Sequence, residues 1–439
     1  MLCNYTSNMI LGLRSRKESI ARLCIGILLL PLVVSEAHAQ SGYTWDQVKT
    51  KFEAANPTLK ADSNNVDELK AEEITAFLRP NPQFTLSTDG TQIARYNNVW
   101  QPTRGTQGVP NISYLHERDH KRELRLKTAQ EATQIGGSLH ENLERNLLFG
   151  LRSAFVQTLE AKAVLDLAHA DLEYYDKIIA ISRARFKAGD LAQIDLDRIE
   201  LLRVQYESEI QTAIVNLRTE KIALQQLLND HAPLEQFDVT GPFDFRSDLL
   251  PLNDLEQAAL DARPDLRAAV QSLEQAKTNH ELAVSNGSTD PTFGTWYSYN
   301  PAFNNPNGHQ TLGLSVSIPL RIFDRNQGEK ERTQVDIERN QNLTDQSRAQ
   351  VFSDVDSAYE QVRSNVALVV PYRDKYKDQA TRVRDTVTFA YQRGGASLMD
   401  FLNAQSSYRV VQLAYLQLVG AYLTSASQLN LAVGREVIP

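Results

Sequence analysis

FKAGDLAQIDL at residues 186–196 and YQRGGASLMDF at residues 391–401 are one phrase written twice, at a constant offset of 205 positions. Phe186, Gly189, Asp195 and Leu196 stand opposite Tyr391, Gly394, Asp400 and Phe401. A glycine suits a chain reversal that needs positive φ, and an acid shortly afterwards suits the first turn of a new helix. Each phrase therefore predicts a helix, a tight turn and a second helix, and their repetition predicts an internal duplication.

The flanks agree with that reading. Segments 120–187 and 191–230, and again 326–392 and 397–433, hold few helix breakers, among them Gly136, Gly137, Pro371 and Gly420. At about 1.5 Å per residue the longer members extend roughly 100 Å, far beyond a globular helix. Tyr408, Val411, Tyr415, Leu418, Tyr422, Ser425, Leu429 and Ala432 step by three and four, as do Tyr206, Ile210, Ala213, Leu217, Leu224 and Leu227. Both copies thus offer one helical stripe for coiled-coil-like packing, and Arg203, Glu220 and Ser425 interrupt it enough to favour a multi-helix wall over isolated pairs.

Between the helical halves the period changes from 3.6 to 2. Leu312, Leu314, Val316, Ile318 and Leu320 alternate with Thr311, Gly313, Ser315 and Ser317, the pattern of a half-buried strand of membrane length. Its partner is Phe293–Tyr299, with Trp296, Tyr297 and Tyr299 expected as interfacial aromatics, joined by a Pro, Asn and Gly loop. A second hairpin runs from Gln83–Ser87, through a long polar loop, to Asn111–His116. Four strands leave open edges whose unpaired backbone groups are intolerable in lipid, so the chain is expected to oligomerise. Three copies make a barrel of twelve strands with a lumen, whereas two make a small barrel whose side chains fill it.

The N-terminus carries the other half of the argument. Arg14, Arg16, Lys17 and Arg22 precede an apolar run, Leu23–Val34, and Ala37-His38-Ala39 reads as a cleavage site, so residues 1–39 are expected to be a secretory signal. Both cysteines, Cys3 and Cys24, fall inside it, leaving the mature chain without disulfide or thiol. Removing its four basic and two acidic side chains leaves a formal charge near −10, which makes nucleic acid an unsuitable partner. The mature chain has no run of about 18 apolar residues, so a bilayer crossing must use strands.

The paired turns, each followed by a long amphipathic helix, resemble the TolC family of outer-membrane efflux proteins over about residues 43–433. That resemblance implies a mainly α fold with a small β part: two repeats of long helical hairpins plus four membrane strands per protomer. A homotrimer would form a 12-stranded β-barrel in outer-membrane lipid and an α-helical periplasmic tunnel. The segments expected are 40–80 as N-terminal helices of an equatorial belt, 81–119 as the first β-hairpin and 120–231 as the first helical hairpin. Next come 232–288 as an equatorial segment with helices, 289–322 as the second β-hairpin, 323–433 as the second helical hairpin and 434–439 as a tail.

By the same resemblance the tips meet a periplasmic adaptor that serves an inner-membrane pump. Ala188, Gly189, Asp190, Arg393, Gly394 and Gly395 fall at that contact. Asp195, Asp400 and Asn403 match positions that form a periplasmic gate, while Asn403 replaces a frequent carboxylate and Ala396 an arginine latch. The run Ser317–Glu329, and Asp290-Pro291 before the preceding strand, are similar to the cation-efflux, CzcC-like branch, which implies a resistance-nodulation-division pump for heavy-metal ions. Drug efflux and type I secretion are the alternatives.

The chemical rival is His116-Glu117-Arg118-Asp119-His120, an HExxH match that on a helix would set two imidazoles on one face for zinc, with the glutamate as base. It follows an alternating strand, which is the wrong context for that role. No phosphate loop or nucleophile elbow occurs, no cofactor is expected, and a channel rather than an enzyme is the reading. A periplasmic coiled-coil scaffold without a pore would share the helices and lack a use for the strands.

Overall fold

The computed structural model describes residues 42–300 and 306–438; the expected signal at 1–39 and residues 301–305 of the second hairpin loop lie outside the described residues. The chain begins with two helices, α1 (Trp45–Ala55) and α2 (Pro57–Phe77). Thr44 and Gln47 form a capping box at the start of α1. Asn56 ends that helix and caps the next, where Pro57 occupies the first turn and has no N–H to leave unpaired.

Strands β1 (Gln83–Asp89) and β2 (Gln107–Leu115) follow, then α3 (Lys121–Ala188) and α4 (Gln193–Leu227). The second half repeats the order: α5 (Leu252–Ala262), α6 (Pro264–Asn286), β3 (Thr292–Tyr299), β4 (Gln310–Ser317) and α7 (Gln327–Pro371). A π-turn at Tyr372–Tyr376 links α7 to α8 (Lys377–Gln392), and α9 (Leu398–Val433) closes the chain. The duplication therefore covers more than the turns, because the Pro-led pair α5–α6 answers α1–α2.

Each long helix is accompanied by two shorter ones placed end to end. Toward the sheet, α2 lies along α3, with Leu69 so close to Gly136 that a Cβ there would sit 2.5 Å from its Cδ1. Away from the sheet α4 takes over, with Tyr175 Oη donating to Ile199 O at 2.9 Å. The second repeat uses α6 and α9 in the same way against α7 and α8, and α6 also packs on α3, joining the two halves through Ser138–Gln271 and Thr278–Glu131 hydrogen bonds.

Three apolar clusters hold the assembly. One gathers Val351, Val355, Val362, Val419, Tyr422, Leu429 and Val433 from α7 and α9. A second gathers Val48, Phe52, Leu151, Phe155 and Leu224 from α1, α3 and α4, with Phe237 from the segment after α4. The third, Tyr175, Ile178, Ile179, Ile199, Tyr391 and Phe401, bridges the two hairpins near their turns. The stripe read from the sequence is the one that is buried: Ile210, Ala213 and Leu224, and Tyr422, Ser425, Leu429 and Ala432.

Candidate functional site

The four strands form one antiparallel sheet in the order β1-β2-β3-β4. Residues opposite each other on paired strands share a face. Phe84 faces Ile112, Ile112 faces Thr295 and Thr295 faces Leu314, so these lie on one side with Leu86, Phe293, Tyr297, Leu312 and Val316. That side is bare: Phe84 is 68% and Leu314 84% exposed. The opposite side carries Thr85, Asn111, Ser113, Ser298 and Ser315. Apolar side chains face outward and small polar ones face inward, the arrangement of a strand set between lipid and water.

One expected interfacial aromatic is placed differently. Trp296 faces Asn111 and Gly313 across the pairs, so it belongs to the polar side, whereas Tyr297 and Tyr299 lie on or toward the apolar one. The reason is the alternation of side chains along the strand, which sets Trp296 on the opposite side from its neighbour Tyr297; a Cβ at Gly313 would lie 2.1 Å from Trp296, so glycine there leaves room for the indole.

The HExxH reading fails on backbone geometry. Residues 116–118 are an irregular link, and Asp119 and His120 take φ of 54° and 57°, in the left-handed region before α3 begins at Lys121. The two imidazoles therefore do not share a helix face, and Glu117 accepts from Arg125 Nη2 at 3.0 Å rather than standing free as a base. Among the described residues no cluster of three or more His, Cys, Asp or Glu side chains suits a metal ion.

Next to that link, Asp290 has a structural use. Lys121, 4% exposed along its side chain, donates to Asp290 Oδ2 at 2.6 Å and to Ser288 O at 3.1 Å, while Arg118 N donates to Asp290 Oδ1 at 2.9 Å. A desolvated lysine held by one carboxylate and one carbonyl pins the root of β3 to the start of α3, where sheet passes into helices. Nothing in the sequence singled out Lys121.

At the other end the two turns are built alike. Gly189 and Gly394 take φ of 84° and 77°. Asp190 N donates to Arg185 O at 2.9 Å and Gly395 N to Ala390 O at 2.8 Å, with Gly189 N and Gly394 N donating to Phe186 O and Tyr391 O. Both ends are thus paired Schellman turns that satisfy the last carbonyls. Ala188, Gly189, Asp190, Arg393, Gly394 and Gly395 are all exposed.

The acids beyond the turns differ. Asp400 is exposed and closes a capping box: its carboxylate accepts from Ser397 N at 3.2 Å and Ser397 Oγ at 2.7 Å, and Ser397 Oγ accepts from Asp400 N at 3.1 Å. Those hydrogen bonds hold its carboxyl below the usual range. Asp195 is half-buried in the first turn of α4, whose N-cap is Ala192 and offers no side-chain bond. Asn403 is exposed, and among the described residues no hydrogen bond or ion pair joins it to either acid.

Ties between the hairpins come from residues the motifs did not mark. Arg185 Nη1 donates to Tyr391 O at 2.7 Å and its guanidinium stacks 5.1 Å over the Tyr391 ring. Tyr174 bonds Thr388 at 3.0 Å, and Arg409 Nη1 reaches both carboxylate oxygens of Glu209, at 2.8 and 2.9 Å. Arg384 lies between Tyr408 at 3.9 Å and Tyr174 at 4.6 Å. These cationic and aromatic clasps join the two hairpins above their turns. The one sequence signal for Arg185 is its asymmetry, since the duplicate position holds Ala390.

A sheet that is apolar outside and polar inside, with both edges unpaired, set on helical hairpins some 100 Å long, defines a channel subunit of the bacterial outer membrane. Residues 255–435 match the outer membrane efflux protein family model. It is 21% identical to the cobalt-zinc-cadmium resistance protein CzcC of Cupriavidus metallidurans over 95% of this chain and 96% of that protein. It is also 21% identical to the pyoverdine export outer membrane protein OpmQ of Pseudomonas aeruginosa, over 71% of this chain and 66% of that protein. A crystal structure of CusC, solved in a study of its folding and transmembrane channel formation, superposes with a TM-score of 0.75 at 18% identity, covering 89% of this chain and 92% of that one. That likeness establishes the fold.

Proposed function

We propose that three copies of this chain join their sheets edge to edge into a closed barrel in the outer membrane, continued by a helical tunnel into the periplasm, and that the assembly conducts solute passively. The observation that carries this reading is the outward apolar face between two open edges: a four-stranded sheet cannot remain so in lipid, and closure by copies satisfies every edge group at once. Twelve strands leave a lumen lined by the small polar face. The protein's work is conduction, and energy comes from its partners.

The tips bearing Ala188, Gly189, Asp190, Arg393, Gly394 and Gly395 receive a periplasmic adaptor, which connects the tunnel to an inner-membrane resistance-nodulation-division pump. Asp195, Asp400 and Asn403 lie just beyond those turns, where threefold symmetry makes rings of each, and they form the periplasmic gate. The cargo is heavy-metal cations. Full-length similarity to CzcC supports that choice over an organic cargo, for which the OpmQ similarity, over less of both chains, speaks.

Two experiments test the reading. Purified protein in a planar bilayer should open cation-selective conductances, and Asp400→Ala should reduce selectivity about two- to threefold, as expected when a ring of charge that concentrates cations is lost. Unchanged currents remove Asp400 from the gate. Deleting the gene should sensitise cells to cobalt, zinc or cadmium; sensitivity confined to dyes, bile salts or antibiotics would move the channel to a drug or secretion system.

A further inference from the structure

At the junction of α1, α3, α6 and the end of α9 lies a cavity of about 390 Å³, walled by Trp45, Arg145, Arg152, Asn430 and Arg435. Arg145 and Arg152 stand seven residues apart on α3, two turns along one helix face, so their side chains converge on it. Arg152 stacks 4.5 Å over Trp45 and 5.9 Å over Phe155. It makes no hydrogen bond or ion pair with any described residue. A guanidinium held over an aromatic ring with no hydrogen-bond partner keeps N–H groups free, and its planar fork grips a carboxylate with two parallel bonds.

Arg145 is partly committed. It donates to Leu431 O at 3.1 Å and Asn142 Oδ1 at 2.7 Å, and lies 3.5 Å from Asp265. Its Nε is nonetheless buried with no partner. Burial pushes both guanidinium groups down from their ordinary value, and they are the two arginines with that direction, the other resolved shifts among described arginines being upward. Glu436 and Asp46 act on Arg152 through space without a hydrogen bond, so its N–H groups stay unpaired in a half-buried position, and an arriving carboxylate removes that cost.

We propose that this cavity is a carboxylate-binding site, with Arg152 as the fork that grips the anion and the buried Arg145 as its second cation. Lys49 and Arg435 line it together with Glu141, Glu144 and Glu436, so overall charge leaves little preference among anions, and the planar fork favours a planar carboxylate over a tetrahedral phosphate of the same charge. The carboxylate comes either from a free small acid or from an Asp or Glu side chain of a second copy. The proposal does not depend on conduction, and its test reads binding alone.

Purified protein in detergent is titrated calorimetrically with sodium succinate, and with sodium phosphate, at constant ionic strength; in parallel the oligomer is followed by sedimentation over a range of NaCl. For a free acid, succinate binds more tightly than phosphate, Arg152→Gln weakens succinate about tenfold or more, and Glu436→Gln, at an exposed position, strengthens it. For a carboxylate of a second copy, succinate does not bind, the wild-type oligomer loosens as salt rises, and the Arg152→Gln oligomer is weaker and salt-insensitive. Arg152→Lys keeps the charge without the fork and should fall between the two, which separates the role from simple support of Trp45. Succinate bound equally by wild type and Arg152→Gln overturns the proposal, as does absence of succinate binding with an oligomer whose salt response the substitution leaves unchanged.

Discussion

The two hairpin tips share a backbone and differ in what holds them. Both end a helix on a left-handed glycine with the same pair of reverse hydrogen bonds. The second then restarts with Ser397 and Asp400 capping each other, and buries Phe401 completely against Tyr391 at 4.9 Å. The first restarts at Ala192 with no side-chain cap and buries Leu196, the smaller counterpart. Above the turns the difference reverses: α3 runs unbroken, whereas its duplicate changes to a π-turn after Pro371, which has no N–H to continue the ladder. A duplicated sequence thus keeps its turn geometry, which only glycine and backbone bonds require, while capping and core residues drift independently.

The asymmetry is sharpest in the core. Phe401→Ala should cost about 3–5 kcal/mol and Leu196→Ala roughly 2–3 kcal/mol, because the larger ring leaves the larger cavity. Thermal melting of the helical signal in detergent, with tip proteolysis as a second readout, ranks the two; equal losses would dissolve the distinction.

A smaller effect tests the stretch where one repeat is straight. Asp171 on α3, whose duplicate is Tyr376 in the π-turn, has its carboxyl pushed up to about 6 by burial, with Arg409 and Arg384 opposing and Glu209 adding to it. A raised acid favours its protonated form in the fold, so the stability it contributes is full below the ordinary value and lost as pH rises through about 6. Asp171→Asn should therefore gain roughly 1–2 kcal/mol at pH 8, a figure reduced for its partial exposure, with the gain shrinking through pH 6 to nothing near pH 3. A gain independent of pH would assign the effect to something other than this carboxyl.

The smallest effects lie in the caps. Ser397→Ala should cost about 1 kcal/mol, and Ala192→Ser should return a few tenths to 1 kcal/mol by giving the first tip the cap that the second has. Hydrogen exchange in the first turns of α4 and α9 would detect both; exchange that is already equal in the wild type would show that the capping box does not separate the tips.

Much of this fold was legible because its signals are local. Helical spacing, the glycine in each turn and the period-two run at 311–320 depend on neighbours in the chain, and the long helices lie along the runs those signals marked, although β4 ends at Ser317, short of Leu320, and the 326–392 run changes to a π-turn after Pro371. The open four-stranded sheet followed from arithmetic on strands and lipid. The room for the Trp296 indole was not legible, because it depends on Gly313 across the pair. The loop conformation at 116–120 was not either, because Asp119 and His120 adopt left-handed backbone that no motif of residue types records.

The sequence by itself determined a twice-repeated helical hairpin with membrane strands between the helices, since period, length and turn chemistry are properties of adjacent residues. Only the tertiary structure decided which charges meet: Lys121 with Asp290, Arg409 with Glu209, Arg185 with the Tyr391 carbonyl, and Arg152 over the Trp45 ring with no hydrogen-bond partner. Such pairs join residues scores to hundreds of positions apart. Coulomb and hydrogen-bond energies act only over a few ångströms of space, and separation along the chain carries no trace of that distance.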